Sequence, residues 1–341
     1  MKKSSALYDL RSLLLPLNPL YYLGYRLDRF FKTRRQEHEP KAFVISVGNL
    51  STGGTGKTPF VIWLAGKLNK RKPVILTRGY RSGVRPGLYK YGPGSSRFGD
   101  EPSLIAKKTG LAVSLDRDRC RGLRKALPLS RFFIMDDGFQ YYRLKKDLEI
   151  VLLDASVPPA ACRLLPRGDF REPVTELKRT DIVVFTKISS ADPDTFLLLK
   201  KAVKAAGISA EKIFGCDFPV EGVFDSKDKK IVPSALKAKK ILAFAGIAGF
   251  PGFRRSVLSL FPKADVEFKR FSDHHGYSPA DLRRLGREKD SGATLVTTEK
   301  DAIKLAVALP GLLTIRISCL MHNEKAFLKL LEMSIHRSGR R

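Results

Sequence analysis

Eight consecutive residues near the start of the chain have the types and the order that hold the phosphate groups of a nucleotide. An apolar run from Phe43 to Val47 comes before them, and a helical pattern from Phe60 to Ala65 comes after. Glycines let backbone N–H groups converge on an anion, and the N-terminus of the following helix adds a partial positive charge. The Gly-Lys-Thr ending supplies a lysine for the β- and γ-phosphates and a hydroxyl for Mg²⁺. The predicted nucleotide-binding residues are Ser51, Thr52, Gly53, Gly54, Thr55, Gly56, Lys57 and Thr58.

This phosphate-loop motif departs from its usual form at one position, because Ser51 stands where the first glycine is expected. The alternative interpretation is a glycine-rich turn before an ordinary helix. A strand before the loop, a helix after it and the Gly-Lys-Thr ending together favour nucleotide binding.

A pair of adjacent aspartates follows another buried strand. The run from Arg131 to Met135 is apolar after its first residue, and Asp136, Asp137 and Gln140 come directly after it. An apolar strand that ends in aspartate is the pattern that places a carboxylate beside nucleotide-bound Mg²⁺. Downstream of a phosphate loop, the pattern predicts the metal side of the same site.

Three further groups of polar residues have less specific patterns. Asp100 and Glu101 begin a predicted helix, where acids often only complement the helix dipole, although they can also serve a metal ion or a hydroxyl. Arg78 follows a strand at the end where open α/β sheets bind ligands, but it also suits a solvated loop. His274 and His275 lack a third ligand at metal spacing, which leaves a structural histidine or one that is partnered with an acid for proton transfer.

Short apolar strands alternate with helical patterns along most of the chain, which predicts a doubly wound, mostly parallel α/β sheet. The strands are predicted at 43–47, 73–76, 131–135, 148–153, 181–185, 241–245 and 293–296. Residues 82–99 are rich in Gly, Ser and Pro, which predicts a flexible surface excursion. The predicted units are an N-terminal segment, a nucleotide-binding core, a polar linker or small β excursion, and a second, smaller α/β lobe, with bounds 1–35, 36–215, 216–240 and 241–341.

The charge of the chain indicates an anionic partner. Its 341 residues include 63 Lys and Arg against 34 Asp and Glu, a formal net charge of +29. Nucleic acid, a membrane surface and a phosphorylated substrate all fit this charge. The four cysteines have neither zinc spacing nor the density of a disulfide framework, so a reducing compartment is expected.

Residues 1–35 combine basic and apolar character. No charge occurs between Arg11 and Arg26, but this stretch is shorter than the roughly 20 apolar residues that span a bilayer. Pro16 and Pro19 also interrupt it. Basic flanks with tyrosines and phenylalanines predict an interfacial helix on an anionic leaflet; the alternative is a helix packed on the core of the protein itself. An interfacial anchor predicts that its deletion weakens vesicle binding with little change in nucleotide affinity.

Eight motifs together resemble the tetraacyldisaccharide 4′-kinase family, the lipid A kinases of Gram-negative bacteria. They follow family order over nearly the whole chain: VGNLSTGGTGKTP, LTRGYR, GDEP, DDGFQ followed by YRL, LPRGDFREP, FAGIAGFPGF, FSDHHGY and TTEKDAIKL. Two places depart from the family pattern. Tyr141 stands where the family usually has histidine, and Gly168 to Pro173 read G-D-F-R-E-P where the family usually reads G-P-L-R-E-P.

The resemblance implies two α/β lobes with the active site between them, and an N-terminal helix on the cytoplasmic face of the inner membrane. It implies transfer of the γ-phosphate of ATP, with Mg²⁺, to the 4′-hydroxyl of a tetraacylated glucosamine disaccharide 1-phosphate. That lipid is anionic and membrane-embedded, which agrees with the positive charge and with an anionic membrane surface as a partner.

Phosphoryl transfer needs charge neutralisation, a metal ion and an oriented nucleophile. With the resemblance as a guide, we assign charge neutralisation to Lys57 and the loop amides. Asp100 is the candidate base for the sugar hydroxyl, paired with His274 from the second lobe. Arg78 and Arg171 are assigned to anionic groups. The remaining assignments are Glu299 for the nucleoside, and Thr58, Glu101, Asp136, Asp137 and Gln140 for the metal.

Two rival functions have sequence support. A basic P-loop ATPase acting on nucleic acid would share the phosphate loop and the net charge, but none of the usual nucleic-acid recognition motifs occurs, so no nucleic acid is expected as a partner. A membrane-bound regulatory nucleotide-binding protein without catalysis would not need the pairing of Asp100 with His274. ATP turnover with lipid disaccharide, with nucleic acid and with neither would separate the three.

Overall fold

The computed structural model describes residue 8 and residues 10–79, 84–92, 98–236, 240–305 and 308–338. In chain order, the strands are β1 Phe43–Asn49, β2 Val74–Thr77, β3 Gly87–Tyr89, β4 Val113–Leu115, β5 Phe132–Asp136, β6 Leu148–Asp154, β7 Ile182–Thr186, β8 Ile213–Asp217, β9 Val220–Phe224, β10 Lys230–Ile231, β11 Lys240–Ala245, β12 Asp265–Arg270, β13 Thr294–Thr298, β14 Leu313–Ile317 and β15 Leu320–Met321. The α-helices are α1 Asn18–Arg34, α2 Lys57–Lys67, α3 Asp100–Thr109, α4 Arg119–Ala126, α5 Pro193–Ala205, α6 Phe250–Leu260, α7 Pro279–Asp290, α8 Glu299–Leu305 and α9 Glu324–Ser338.

The first lobe is built on a nine-stranded sheet in the order β15-β8-β7-β6-β1-β5-β2-β4-β3. All its pairings are parallel except those of β3 with β4 and of β15 with β8 at the two edges. Every residue of β1 is buried, as its continuous apolar run predicts for a strand covered on both faces. Ile45 packs with Phe60 of α2 on one face, and Val44 packs with Leu123 of α4 on the other. The predicted doubly wound sheet is confirmed.

The second lobe is built on a six-stranded sheet in the order β10-β9-β14-β13-β11-β12. Strands β11 to β14 pair in parallel, whereas β9 and β10 are antiparallel at one edge. Helices α6 and α7 cover opposite faces: Phe253 packs with Ala243 of β11, and Leu285 packs with Phe244 of the same strand. This lobe therefore repeats the strand-helix alternation of the first.

The predicted boundaries of the second lobe are wrong at both ends. The predicted linker 216–240 contains β9 and β10, which belong to the second sheet. These two short strands lack the long apolar run that marks a strand buried on both faces, so the sequence left a linker or a small β excursion open. At the other end the chain returns to the first lobe, where β15 joins β8 and Phe327 and Leu331 of α9 pack against Phe60.

Two sequence features fall partly outside the described residues. Strand β3 lies within the predicted excursion 82–99, of which residues 82–83 and 93–97 are outside the described part. Tyr80 and Arg81 of the LTRGYR motif are also outside it.

The N-terminal segment continues from a 3₁₀ turn at Ser12–Leu17 into α1. One face of α1 contacts the first lobe through Tyr21, whose hydroxyl donates to the Arg171 carbonyl at 3.0 Å, and through Arg29, which pairs with Glu176. The opposite face exposes apolar side chains at helical spacing, namely Leu20, Leu23, Leu27 and Phe31. Among the described residues, no helix has the length and apolar character needed to cross a bilayer.

Candidate active site

A cleft between the two lobes, with a volume of about 1580 Å³, contains most of the residues that the sequence singled out. The phosphate loop and the carboxyl end of β5 line it from the first lobe, and the starts of α3 and α8 meet across it. The predicted residues that line it are Ser51 to Thr58, Arg78, Asp100, Glu101, Asp136, Asp137, Arg171, His274 and Glu299. Gln140 is the exception, since it is not among the lining residues.

The phosphate loop ends at a glycine that the backbone requires. Gly56 has φ +87° as the N-cap of α2, and a Cβ at this position would overlap the ring of Phe218. The next residue, Lys57, begins the helix, and its Nζ lies 3.0 Å from Asn49 Oδ1 and 3.3 Å from Asp137 Oδ1. The loop amides, the helix N-terminus and this ammonium group together have the donors and the positive charge that phosphate binding requires.

Two adjacent carboxylates have opposite environments at the end of β5. Asp136 is 5 % exposed, and its Oδ1 has no hydrogen-bond partner within the described part of the chain. Burial, followed by the negative charges of Glu101 and Asp137, raises the pKa of Asp136 to about 7. Burial also acts on Asp137, but the charges of Lys57 and Arg171 outweigh it and hold the Asp137 pKa well below its usual range.

Arg171 holds Asp137 with two hydrogen bonds, of 3.0 Å to Oδ1 and 3.2 Å to Oδ2. Asp137 itself has φ +52°, a left-handed conformation that is uncommon outside glycine. Its neighbour Asp136 keeps one buried oxygen without a partner, with Glu101 close enough to repel it electrostatically. Negative charge therefore accumulates beside the phosphate loop on the side of Asp136.

The residues around Asp136 fit Mg²⁺. Mg²⁺ usually takes one or two carboxylates and keeps waters and substrate phosphates as its other ligands. Asp136, Glu101 and the Thr58 hydroxyl provide such a set, although no group of three His, Cys, Asp or Glu side chains in the described ranges could hold a metal on its own. Gln140 donates to the Asn49 carbonyl at 3.0 Å, so its amide nitrogen supports the loop strand.

Asp100 and His274 come from different lobes and meet in the cleft. Asp100 is the first residue of α3, and His274 has φ +58° in the loop after β12. Nδ1 of His274 lies 3.0 Å from Asp100 Oδ2. Burial would raise the pKa of Asp100, but the hydrogen bond with His274 and the charges of Lys300 and Lys304 lower it to about 2. The hydrogen bond with Asp100 raises the pKa of His274, against burial and the charge of Lys300.

Two lysines of α8 lie beside the Asp100-His274 pair, and the sequence analysis did not identify them as site residues. Lys300 Nζ lies 3.1 Å from His274 Nε2 and 3.1 Å from Glu101 Oε1. Lys304 Nζ lies 3.6 Å from Asp100 Oδ2 and 3.1 Å from Asp301 Oδ1. The i, i+4 spacing within TTEKDAIKL put both lysines on one face of a helix, which was the available signal.

Arg119 is a further cation that the sequence did not reveal. It is 7 % exposed, its guanidinium lies 4.9 Å from the centre of the Tyr141 ring, and burial lowers its pKa. The charges of Asp137 and Asp136 act on it in the opposite direction. Because Arg119 belongs to a helix with several arginines and lysines, nothing in the sequence distinguished it from a solvated residue.

The structure also gives the positions of two predicted site residues, Glu299 and Arg78, and of Tyr141, where the family pattern is broken. Glu299 lines the cleft and pairs with Lys108 at 2.6 Å and with Arg316 at 3.4 Å. Arg78 is exposed at the end of β2. Tyr141 donates to Asp118 Oδ1 at 3.0 Å. That carboxylate caps α4, so Tyr141 supports a helix start.

Comparison with known proteins identifies relatives of this chain. The family model for tetraacyldisaccharide-1-P 4′-kinase matches residues 10–336. The tetraacyldisaccharide 4′-kinase of Syntrophus aciditrophicus (strain SB) is 38% identical over 291 residues, which cover 79% of this chain and 78% of the relative. That of Aquifex aeolicus (strain VF5) is 34% identical over 308 residues, which cover 87% and 90%.

A solved structure gives the same result in three dimensions. The crystal structure described as the "apo" form of LpxK from Aquifex aeolicus in complex with ATP has a TM-score of 0.73 and 30% identity, covering 96% of this chain and 99% of that one. The predicted fold class and kinase activity are confirmed, and nothing supports the nucleic-acid alternative. The chain therefore belongs to the tetraacyldisaccharide-1-P 4′-kinase family.

Proposed function

We propose that the protein transfers the γ-phosphate of ATP, bound in this cleft, to the 4′-hydroxyl of a tetraacylated disaccharide 1-phosphate at the cytoplasmic face of the inner membrane. One observation supports this assignment most directly: Asp100 and His274 come from separate lobes and contact each other in the same cleft that the phosphate loop lines. A nucleotide at the phosphate loop and a sugar hydroxyl at the acid-histidine pair would share one cleft, which supports transfer between them.

At the donor end, the loop amides and Lys57 neutralise the charge of the β- and γ-phosphates. Thr58, Asp136 and Glu101 would hold Mg²⁺, which when bound would supply further neutralisation of the transferring group. Arg171 fixes Asp137 beside Lys57 through its two hydrogen bonds. These groups are held before the reaction, so their orientation adds little reorganisation cost during it.

At the acceptor end, the sugar oxygen attacks the γ-phosphorus, the bond from that phosphorus to the bridging oxygen breaks, and ADP leaves. Asp100 receives the hydroxyl proton. Since its pKa of about 2 makes Asp100 a weak base, its first task is to orient the hydroxyl, and it takes the proton as the new bond forms. His274 donates from Nδ1 to Asp100 and so fixes the carboxylate, while Lys300 faces Nε2.

Lys300→Met should raise the pKa of His274. Among the described residues, the acids Asp100, Glu101 and Asp273 favour the charged form of this ring, and Lys300 opposes it. Burial and the Lys300 charge both lower this pKa, so removing the ammonium leaves only burial against the acids, and we expect an upward shift. The chain has five histidines, so an NMR titration with His274→Gln as the assignment control can follow this ring. A shift to lower pH would contradict the geometry.

At the membrane end, we infer that the exposed apolar face of α1 lies in the headgroup boundary. Replacing Leu23 and Leu27 together with glutamine should weaken binding to anionic vesicles at least about tenfold, because both leave an apolar interface. These side chains are 55% and 50% exposed in the protein alone. Leu197→Gln on α5, exposed to 54%, is the matched control. Unchanged vesicle sedimentation of the double variant would argue against this orientation.

The activity itself is tested by mass spectrometry of the lipid disaccharide after incubation with the protein and Mg-ATP. We expect the gain of one phosphate at the 4′ position of the non-reducing sugar. Parallel reactions without protein, and with nucleic acid in place of lipid, give the background. ATP turnover that nucleic acid stimulates and lipid does not would overturn the proposal.

A further inference from the structure

A short segment of the first lobe, residues 168–171, lies directly against the phosphate loop. The backbone N–H of Thr52 donates to the Asp169 carbonyl at 2.8 Å, and the N–H of Arg171 donates to the Leu50 carbonyl at 2.7 Å. Ser51 forms an antiparallel bridge with Phe170 between these two bonds. The beginning of the phosphate loop is thus held in place by this segment, as an edge strand is held by its neighbour.

The same segment is held from its other side by the N-terminal residues. The Tyr8 hydroxyl donates to Asp169 Oδ2 at 2.8 Å, and Arg11 donates to Asp169 Oδ1 at 2.9 Å and to the Gly168 carbonyl at 3.3 Å. The Tyr21 hydroxyl of α1 donates to the Arg171 carbonyl at 3.0 Å. Residues 168–171 therefore connect the N-terminal segment with the phosphate loop.

The burial of Asp169 makes these contacts strong. Asp169 is only 5 % exposed. A buried carboxylate that loses a charged partner keeps its desolvation cost without the compensating hydrogen bond. Such a carboxylate either takes up a proton or moves until it reaches water or a new donor. Because the Asp169 carbonyl holds Thr52, a shift of this residue displaces the start of the phosphate loop.

We propose that Asp169 is a positioning residue that couples the docked N-terminal segment to ATP binding through Tyr8 and Arg11. The proposal rests on the proposed ATP-binding role of the loop. It contradicts the expectation from the sequence that the anchor acts on membrane binding with little effect on nucleotide affinity. Asp169 is also one of the two positions at which the G-D-F-R-E-P stretch departs from the family pattern.

The test measures the Kd for Mg-ATP in detergent micelles without lipid substrate. Tyr8→Phe and Arg11→Ala should each weaken ATP binding about fivefold, part of the roughly tenfold or more that one charged hydrogen bond can carry. Tyr22→Phe and Arg26→Ala are matched controls in α1, since they remove the same groups from exposed positions that contact each other at 3.3 Å. Both controls should leave the Kd unchanged. Arg11→Lys, which keeps the charge, should restore most of the affinity.

Thermal unfolding of each variant separates loss of positioning from loss of folding. If Arg11→Ala unfolds, Asp169→Asn keeps an oxygen for Tyr8 and removes only the charge, and its Kd should rise similarly. An unchanged Kd in folded Tyr8→Phe and Arg11→Ala, with vesicle binding reduced, would overturn the coupling and leave a simple anchor. An equal loss of affinity in the α1 controls would overturn it as well. Failure of the unaltered protein to bind ATP would instead overturn the proposed function.

Discussion

Asp100→Ala and His274→Ala are each expected to lower kcat by about a hundredfold or more, the usual scale of general-base catalysis. The reason is geometric: Nδ1 of His274 lies 3.0 Å from Asp100 Oδ2 across the cleft, and each residue fixes the other. Loss of His274 leaves Asp100 near Lys300 and Lys304, whose ammonium groups lie 3.8 and 3.6 Å from its Oδ2. Without the imidazole, these lysines compete with the sugar hydroxyl for the carboxylate.

The Asp100→Ala, His274→Ala double variant should be little slower than the slower single variant, because residues that act as one unit show non-additive losses of kcat. His275→Ala is the matched control. Nε2 of His275 pairs with Asp281 at 3.0 Å, and Asp281 belongs to the capping box that starts α7, so its loss should act mainly on stability. Measuring kcat of all four variants at saturating ATP decides between the possibilities. Multiplicative losses would indicate independent roles, and a larger loss at His275 would show that the other histidine is the functional one.

The nucleotide side of this site could be predicted from sequence because its chemistry is local. Gly56, Lys57 and Thr58 are consecutive, and a strand-to-helix turn fixes where they point. Asp136 ends a strand that pairs with β1, so the carboxyl ends of both strands meet at one edge of the sheet. Residues that are adjacent in the phosphate-loop motif are also adjacent in the fold, so the spacing of the motif is enough to predict this part of the site.

The acceptor side needed more than spacing, since Asp100 and His274 belong to different lobes and lie far apart in the sequence. Asp100 and His274 could be paired through the resemblance, but nothing in the sequence indicated that Lys300 would face the imidazole and Glu101 together. The return of α9 to the first lobe was missed for the same reason. An amphipathic helix shows which of its faces is apolar, but not which lobe that face covers.

The expected result for Lys57→Ala is a loss of kcat of about a hundredfold to a thousandfold, the scale found when one preorganised donor to a developing negative charge is removed. Lys57 begins α2, and its ammonium group lies 3.0 Å from Asn49 Oδ1 and 3.3 Å from Asp137 Oδ1, at the place where the helix N-terminus and the loop amides converge. Its side chain contacts polar groups at the cleft instead of the core, so the variant should fold.

Lys67→Ala is the matched control, because it removes the same charge from the other end of the same helix, where Lys67 pairs with Glu324 at 2.5 Å. Its kcat should stay near normal. Measuring kcat at saturating ATP together with thermal unfolding separates the two effects. If Lys57 serves the phosphates, only Lys57→Ala loses turnover while both variants keep a cooperative unfolding transition. Near-normal turnover in a folded Lys57→Ala protein would mean that Arg171 and the backbone amides neutralise the transferring phosphate without it, and the charge-neutralising role would then pass to Arg171.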